Sequence, residues 1–449
     1  MVALSETDAD KRRTEGMRVM GWSQRYRLKS YLASSLWIIP FAAIPLELAL
    51  TRVLHKFDQW LGWTFLALMQ EGAQALYQTI ITSMVSFVVF TFGSLLVAVQ
   101  VAGGQLTARI IATTLLRDST VKYVVGLFIF TLFFAVSALN WLGKDVHQFI
   151  AFVAACLGIA SFAAFLYLID YAARLLRPVS ILSRVGNAGI AVFDSVYPDA
   201  AVGAPPVEPE SGPLGVPSRI VNHERISGIV LAANVPALVA AAEKAGGAIE
   251  FAPQVGDFVA TGDPLFKLYG EKSASIDPSA LIESIVFGSE RTLDQDPTFA
   301  IRIIVDIALR ALSPAINDPT TAVLAIDQLH RMLRRVGQRN LRTDRILDDN
   351  GRLRVYFRTP NWEDFVHLAF SEIRGCGSNN LQIVRRLRSM IDNLLATLPR
   401  HCHAALKEQL SLLDRAIEAQ FKEPEQLSLA RMPDPQGLGG HSGYERGSL

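Results

Sequence analysis

The chain has 449 residues, of which 50% are hydrophobic and 19% are charged, and its mean hydropathy is +0.28. Soluble domains carry roughly 25% charged residues, so the shortfall predicts a membrane-embedded part in a chain long enough for two or three domains. The formal net charge of +1 gives no reason to expect a nucleic-acid partner.

The three cysteines, Cys156, Cys376 and Cys402, are far apart and form no C-x-x-C pair. This usage argues against a disulfide framework and against a thiolate zinc site. His401 and His403 flank Cys402, but neighbouring helical side chains point about 100° apart, so we expect a helix start there rather than a shared metal. Any metal site stays unidentified from the sequence.

Residues 1–30 are polar and basic. The segment is too long and too charged for an ordinary signal peptide, and no small-residue cleavage site follows the first apolar run. We expect a basic cytoplasmic arm ahead of a retained membrane anchor.

Four apolar segments follow, at about residues 32–50, 79–102, 123–142 and 149–169. Each is near the roughly 20 residues that span a bilayer. They predict a four-helix transmembrane domain over residues 31–190 that ends in an interfacial exit helix. The second loop and the exit are basic, so the positive-inside rule places both termini in the cytoplasm. The basic residues are Arg109, Arg117, Lys122, Arg174, Arg177 and Arg184.

Polar residues within the apolar segments are few. Glu47 is predicted near the outer end of the first segment, Gln100 low in the second and Asn140 high in the third. These three are candidate membrane-path residues. No charge is expected at mid-membrane, which argues against a proton pump or an ion-coupled transporter. A pore formed by oligomerisation does not need such a charge.

The segment after the exit helix is predicted to be a Pro- and Gly-rich linker at residues 191–218 and then a β-rich module at 219–272. Within the module, V-G-D-F-V-x-x-G-D-P-L-F, which starts at Val255, resembles half of a lipoyl- or biotinyl-type barrel sandwich. Such domains attach a cofactor to a lysine at a hairpin tip. Lys267 lies within a strand instead, so we expect a structural module without a cofactor.

A predominantly helical domain is predicted at residues 273–424. Asp296–Pro297 and Asp318–Pro319 each match a capped helix start. Arg302, Asp306 and Arg310 follow one helix side at spacings of four residues, among apolar neighbours. The sequence leaves open whether these polar residues are a structural ion-pair network or a site for a ligand or ion. The complete candidate set is Arg291, Gln295, Asp296, Arg302, Asp306, Arg310, Asn317 and Asp318.

The same stretch carries a family resemblance. The runs R-T-x-x-Q-D-x-x-F and V-D-I-A-x-R-A-L-S-P-A-I-N-D-P-x-T-A, between Arg291 and Ala322, resemble the signature of a bacterial membrane-protein family, domain-of-unknown-function family 2254. The resemblance implies a membrane protein and implies no activity. After this domain, residues 425–449 are predicted to be a disordered tail.

The sequence contains no Walker A, G-x-S-x-G or H-E-x-x-H motif, so it identifies no catalytic residues. The fold class predicted is an α-helical membrane protein with a mixed α+β cytoplasmic region. The leading functional hypothesis is channel-like conduction in a homo-oligomer within the lipid bilayer, gated by the cytoplasmic region. A non-conducting scaffold or sensor, and a transporter or membrane enzyme, are the alternatives.

Overall fold

The computed structural model describes residues 21–61, 67–105, 118–143, 146–175, 177–200, 215–341 and 344–439. Arg109, Arg117, most of the predicted basic arm and much of the predicted linker lie outside these residues. The chain forms two compact units, both of which are discontinuous in sequence. The sheet unit contains Met1–Ala33, Gly203–Asp296 and Arg342–Thr359, and the helical unit contains Ser34–Val202, Pro297–Leu341 and Pro360–Leu449.

Among the described residues, four helices of the helical unit are long and apolar enough to cross a membrane, which confirms the four predicted segments. They follow a short basic helix, α1, in the sheet unit. The helices are α1 Trp22–Ser34, α2 Ile38–Leu61, α3 Gln70–Gln105, α4 Ser119–Asn140 and α5 Gln148–Leu175, followed by the exit helix α6 Pro178–Val196.

The first membrane helix begins later and ends later than its hydropathy predicts. Residues 35–37 are not helical and separate α1 from α2. The apolar span then runs from Ile38 to Asp58. The predicted span began too early because it included apolar residues of α1. It ended too early because Arg52 and Lys56 are charged, although both are exposed on the surface of α2. This shift changes the depth of every polar residue on α2.

Helix α4 is the centre of the membrane bundle. Half of its apolar stretch is buried, against 17–22% of the other three, and it contacts α2, α3 and α5. Gly126 of α4 lies against Ile39 of α2, and at the other end the Trp141 ring lies 4.3 Å from the His55 ring. Both pairs have nearly the same sequence separation, so α2 and α4 run parallel and side by side.

The sheet unit packs two sheets around one apolar core. Its elements are β1 Arg219–Asn222, β2 Gly228–Ala233, α7 Val235–Ala245, β3 Ala248–Phe251, β4 Phe258–Val259, β5 Pro264–Tyr269, α8 Pro278–Glu283, β6 Ile285–Gly288, β7 Arg345–Leu347 and β8 Leu353–Phe357, with a short 3-10 helix at Glu271–Ser275. The five-stranded sheet has the order β1-β5-β3-β8-β7, and the three-stranded sheet β4-β2-β6. Strands β3 and β8 are parallel, so a distant segment completes this sheet.

The remaining helices of the helical unit are α9 Pro297–Ala311, α10 Pro319–Val336, α11 Trp362–Gly377, α12 Leu381–Thr397, α13 His403–Gln420 and α14 Pro424–Ala430, with a 3-10 turn at Arg400–Cys402. The exit helix α6 packs on both α9 and α10. Gly189 allows this approach, because a Cβ atom there would lie 2.6 Å from the Cβ of Ala300 and 2.5 Å from Cε of Met332.

The C-terminal part of the helical unit differs from the predicted disorder. Beyond α14 the chain is described as far as residue 439, and it packs on α12. Arg385 of α12, which is 1% exposed, donates to the carbonyls of Met432 and Gly439. Asp434 accepts hydrogen bonds from three backbone amides of its own turn. These partners are distant in sequence from α12, so local composition did not reveal them; residues 440–449 lie outside the described residues.

We predict that one substitution, Gly→Ala, has different effects at two helical positions. Gly189→Ala forces α6 away from Ala300 and should lower the free energy of unfolding by about 1–3 kcal/mol. Gly375→Ala in α11 meets no atom within 4 Å and should leave stability unchanged or raise it by up to about 1 kcal/mol. Thermal unfolding of the detergent-solubilised chain measures both. Equal effects at the two positions would contradict the packing of α6.

Candidate functional site

A polar stripe follows the buried side of α2. Glu47, Thr51 and His55 recur at spacings of four residues, so they lie on one helix face. Glu47 is fully buried and Thr51 is 2% exposed, while His55 is half-buried. The Thr51 hydroxyl donates a 2.6 Å hydrogen bond to Oε1 of Glu47. The stripe therefore faces protein rather than lipid.

Glu47 lies at the middle of the membrane span. The span is 21 residues long, from Ile38 to Asp58, and Glu47 is close to equidistant from its ends. The sequence predicted Glu47 near the outer end of its span because it ended that span at about residue 50, whereas the apolar span continues to Asp58. The second carboxylate oxygen of Glu47, Oε2, is buried and has no hydrogen-bond partner among the described residues.

A second polar cluster lies where the stripe reaches the end of α2. Oδ2 of Asp58 is 2.8 Å from Nδ1 of His147, and its Oδ1 accepts a 3.0 Å hydrogen bond from the amide of Phe149. Asp58 thus also caps the first turn of α5. The His55 ring lies 4.5 Å from the His147 ring. Within the described chain, no group of three or more His, Cys, Asp or Glu side chains is arranged to hold a metal ion.

Sequence reasoning missed this cluster because it assigned His55, Asp58 and His147 to loops. The signal that identifies it is the four-residue spacing that continues from Glu47 once α2 extends to Asp58. Of the other predicted path residues, Gln100 and Asn140 are exposed near the ends of their spans. A further buried polar pair joins two membrane helices instead: the hydroxyls of Thr131 and Ser161 are 3.0 Å apart and fully buried.

Three of the predicted signature residues lie in the sheet unit. Nη1 of Arg291 is 3.5 Å from Oδ2 of Asp296, which is 2% exposed. Gln295 accepts a 3.0 Å hydrogen bond from the amide of Ala233. A Cβ atom at Gly256, whose φ is +96°, would lie 2.5 Å from Oδ2 of Asp296. The signature thus packs directly on the Gly256–Asp257 turn, which only glycine can make here.

The other five signature residues lie in the helical unit. Arg302 donates to Asp306 at 2.7 Å, as the four-residue spacing predicts, and also pairs with Glu372 of α11. Arg310 does not share this pair. Its Nη2 and Nε atoms donate to the carbonyl of Gly104, at 2.6 Å and 3.1 Å. Gly104 lies in the last turn of α3, so a signature arginine binds the end of a membrane helix, where the helix dipole favours a cation.

The turn between α9 and α10 is fixed by the last two signature residues. Asn317 has a left-handed backbone with φ of +47°, which asparagine tolerates better than most residues. Oδ1 of Asp318 accepts the amide of Thr321 at 3.0 Å and caps α10. The eight signature residues therefore divide between the two units, and each has a definite structural setting.

Charge pairs alter the pKa values of groups outside the spans. The hydrogen bond from Arg302 lowers the pKa of Glu372. Asp118 caps α4 and accepts from Tyr171 at 2.5 Å and from Arg184 at 2.7 Å. Burial raises its pKa, but these hydrogen bonds and the Arg184 charge outweigh burial, so the pKa of Asp118 lies below its usual value. The junction where α4, α5 and α6 meet is thus held by a charged carboxylate.

A second carboxylate holds α6 to α10. Oδ2 of Asp194 is 2.8 Å from Nη2 of Arg335, and Oδ1 is 2.5 Å from Nη2 of Arg339. The hydrogen bond from Arg335, followed by that from Arg339, lowers the pKa of Asp194. Sequence reasoning missed this contact, because Asp194 and its two arginine partners are far apart along the chain.

Comparison with known proteins identifies the family of this chain. The model of domain-of-unknown-function family 2254, described as a predicted membrane protein, matches residues 33–393. The chain belongs to this family. The family match includes all four apolar helices and all eight signature residues.

Relatives agree over most of the chain. An uncharacterised protein of Mycobacterium bovis is 26% identical over 422 residues, which are 89% of this chain and 80% of that protein. An uncharacterised protein of Mycobacterium tuberculosis gives the same values. No solved structure matches the chain significantly. The family therefore establishes a membrane protein, and the chemistry has to be argued from the residues.

We predict that Asp194→Asn lowers stability in a pH-dependent way. The folded-state pKa of Asp194 is depressed, so its contribution is present above the unfolded value near about 3.9 and is lost as pH falls through the folded value. The melting temperature of the variant should lie below that of the wild type at pH 7, and the difference should shrink below about pH 4. Asp199→Asn, which changes a nearby exposed carboxylate, is the control. A difference that does not change with pH would refute a charge-dependent contact.

Proposed function

We propose that this protein moves an ion across the bacterial inner membrane through the α2–α5 bundle. The observation that carries the proposal is Glu47, a fully buried carboxyl group at the middle of a span. An acidic residue at the centre of a membrane helix is unfavourable by roughly 2.5–3.5 kcal/mol on insertion scales, and such residues characteristically mark ion or proton paths.

A purely structural role explains Glu47 less well. A structural carboxylate in a low-dielectric interior is expected to face a cation, and the described residues of the helices that pack on α2 place none near it. On α4 the ionisable residues are Lys122 and Tyr123, which lie about 18 Å from the Glu47 level along the parallel axes. Thr51 satisfies one carboxylate oxygen only. An apolar residue would pack this position at lower free energy, so we assign Glu47 a role in transport.

Two contacts support the proposal that α9 and α10, the helices that contain signature residues, control the membrane bundle. Arg310 of α9 binds the end of α3 through Gly104. Arg335 of α10 and Arg339, which follows α10, bind Asp194 of α6. Helix α6 continues almost directly from α5. A change in the α9–α10 pair would therefore act on two membrane helices. We propose this mechanical link, rather than catalysis, as the role of Arg302, Asp306 and Arg310.

The remaining features complete the proposal. The basic exit after α5 supports an orientation with both termini in the cytoplasm. Exposed apolar residues on α3, such as Val89, Phe90 and Leu96, offer a face for a second copy or for lipid, and we propose a homo-oligomer. The sheet unit, with its two Gly-Asp turns, serves as a barrel-sandwich-like structural module without a cofactor.

Orientation and oligomeric state have direct tests. Reporter domains fused to either terminus should both signal the cytoplasm. Light scattering of the detergent-solubilised chain should give a mass of at least two copies. A periplasmic signal from either fusion would contradict the orientation, and the mass of one chain would contradict the oligomer.

For transport itself, we predict that Glu47→Gln abolishes ion flux in proteoliposomes. The amide has nearly the shape of the carboxyl group but can neither carry a charge nor accept and release a proton. Fluxes of H⁺, Na⁺ and K⁺ should be measured with ion-sensitive dyes. Glu71→Gln, an acid-to-amide change at an exposed position early in α3, should leave flux unchanged.

Other outcomes of this experiment would refute the proposal. Folded wild-type protein that transports none of the three ions would favour a non-conducting scaffold. Flux that survives Glu47→Gln would remove the assigned role of that residue. Arg310→Ala should change the rate of flux and keep its dependence on Glu47; an unchanged rate would contradict control through α9.

A further inference from the structure

We infer that the transported ion is the proton, and that it passes between Glu47 and one membrane surface along Thr51, His55 and His147. This inference rests on the transport function proposed above and names its substrate. It depends on the ligand chemistry around Glu47, on the spacing of the stripe and on the His–Asp cluster at the end of α2.

The surroundings of Glu47 suit a proton better than a metal cation. Hard cations require several oxygen ligands, six to eight in the case of Ca²⁺. Around Glu47 the described residues supply one side-chain hydrogen bond, from Thr51, and no multi-ligand group of acids or histidines occurs in the described chain. A proton requires a single acceptor atom, and Oε2 is such an atom. Protonation also removes the charge that makes burial unfavourable.

The stripe provides transfer groups at regular intervals. Glu47, Thr51 and His55 are separated by about 6 Å along the helix axis, a step that one hydrogen-bonded water molecule can bridge. Hydroxyl and imidazole groups can each accept a proton at one position and release another elsewhere. Each step breaks one O–H or N–H bond and forms another, so the chain of groups returns to its starting state after reorientation.

The surface end of the stripe contains an imidazole group that can exchange protons with water. His147 lies between the apolar spans of α4 and α5, and its side chain is 26% exposed. Asp58, 2.8 Å away, holds the imidazole ring in position and is itself oriented by the amide of Phe149. The ionisable neighbours are His55 on α2 and Tyr77 on α3, which interacts electrostatically with Asp58. Imidazole is the side chain whose ordinary pKa suits transfer near neutral pH.

The stripe is polar on one side of Glu47 only. In the opposite direction the same buried face carries Ala43 and Pro40. A proton on Glu47 can therefore reach the membrane surface at which His147 lies, but no polar side chain of this face connects it to the opposite surface. Pro45, inside α2, leaves the carbonyl of Phe41 without its helical hydrogen bond, so α2 can bend next to Glu47. Bending there would connect Glu47 to the second surface.

The test is proton flux into proteoliposomes with the full-length His147→Ala variant, before and after addition of free imidazole. Loss of the shuttle should reduce proton flux by about tenfold or more. Imidazole in the medium should restore a large part of it, because a soluble base replaces the missing one. His401→Ala, which removes an exposed histidine far from the bundle in sequence, should have no effect.

The outcomes separate this inference from the function on which it rests. Absence of any ion flux from the folded wild type would refute transport as a whole. Glu47-dependent flux of Na⁺ or K⁺ without proton flux would support the transport function and would refute the proton as the transported ion. Proton flux that His147→Ala does not reduce, or a loss that imidazole does not restore in either His147→Ala or the more conservative His147→Gln, would overturn the path through His147.

Discussion

The carboxyl group of Glu47 is fully buried within the apolar span of α2, and the structure shows no ion pair to it among the described residues. Thr51 binds one oxygen, and the parallel neighbour α4 contributes an apolar surface at that level. In a low-dielectric interior an ionised carboxylate is strongly disfavoured unless it is paired or solvated. The transport function proposed above gives this unfavourable arrangement a role, because a buried carboxyl group with a free oxygen can receive an ion from its surroundings.

The signature residues have a different physical role in this account. They do not form one buried column, because Arg302 pairs with Asp306 and Glu372, whereas Arg310 binds the end of α3. The first contact holds α9 against α11, and the second connects α9 to the membrane bundle. Similar logic applies to Asp118 and Asp194, which bind arginines on neighbouring helices. Arginine is suited to such junctions because its rigid guanidinium group makes several directed hydrogen bonds at once.

The features predicted correctly from the sequence are those that depend on residues close together along the chain. Hydropathy predicted the four membrane helices, the Asp-Pro pair predicted the start of α10, and the four-residue spacing predicted the Arg302–Asp306 contact. The depth of Glu47 was missed because the break at residues 35–37 carries a weak signal in a continuous apolar run. The contact between Arg385 and the C-terminal turn was missed for another reason: its partners are brought together by the tertiary fold.

The most direct test of the account is whether Glu47 carries a proton within the membrane. A hydrophobic carbodiimide reacts with protonated carboxyl groups in apolar surroundings and leaves a stable adduct that peptide mass spectrometry can locate. In native membranes near neutral pH, we predict an adduct at Glu47. An unmodified Glu47, under conditions in which other membrane carboxyl groups react, would contradict the account.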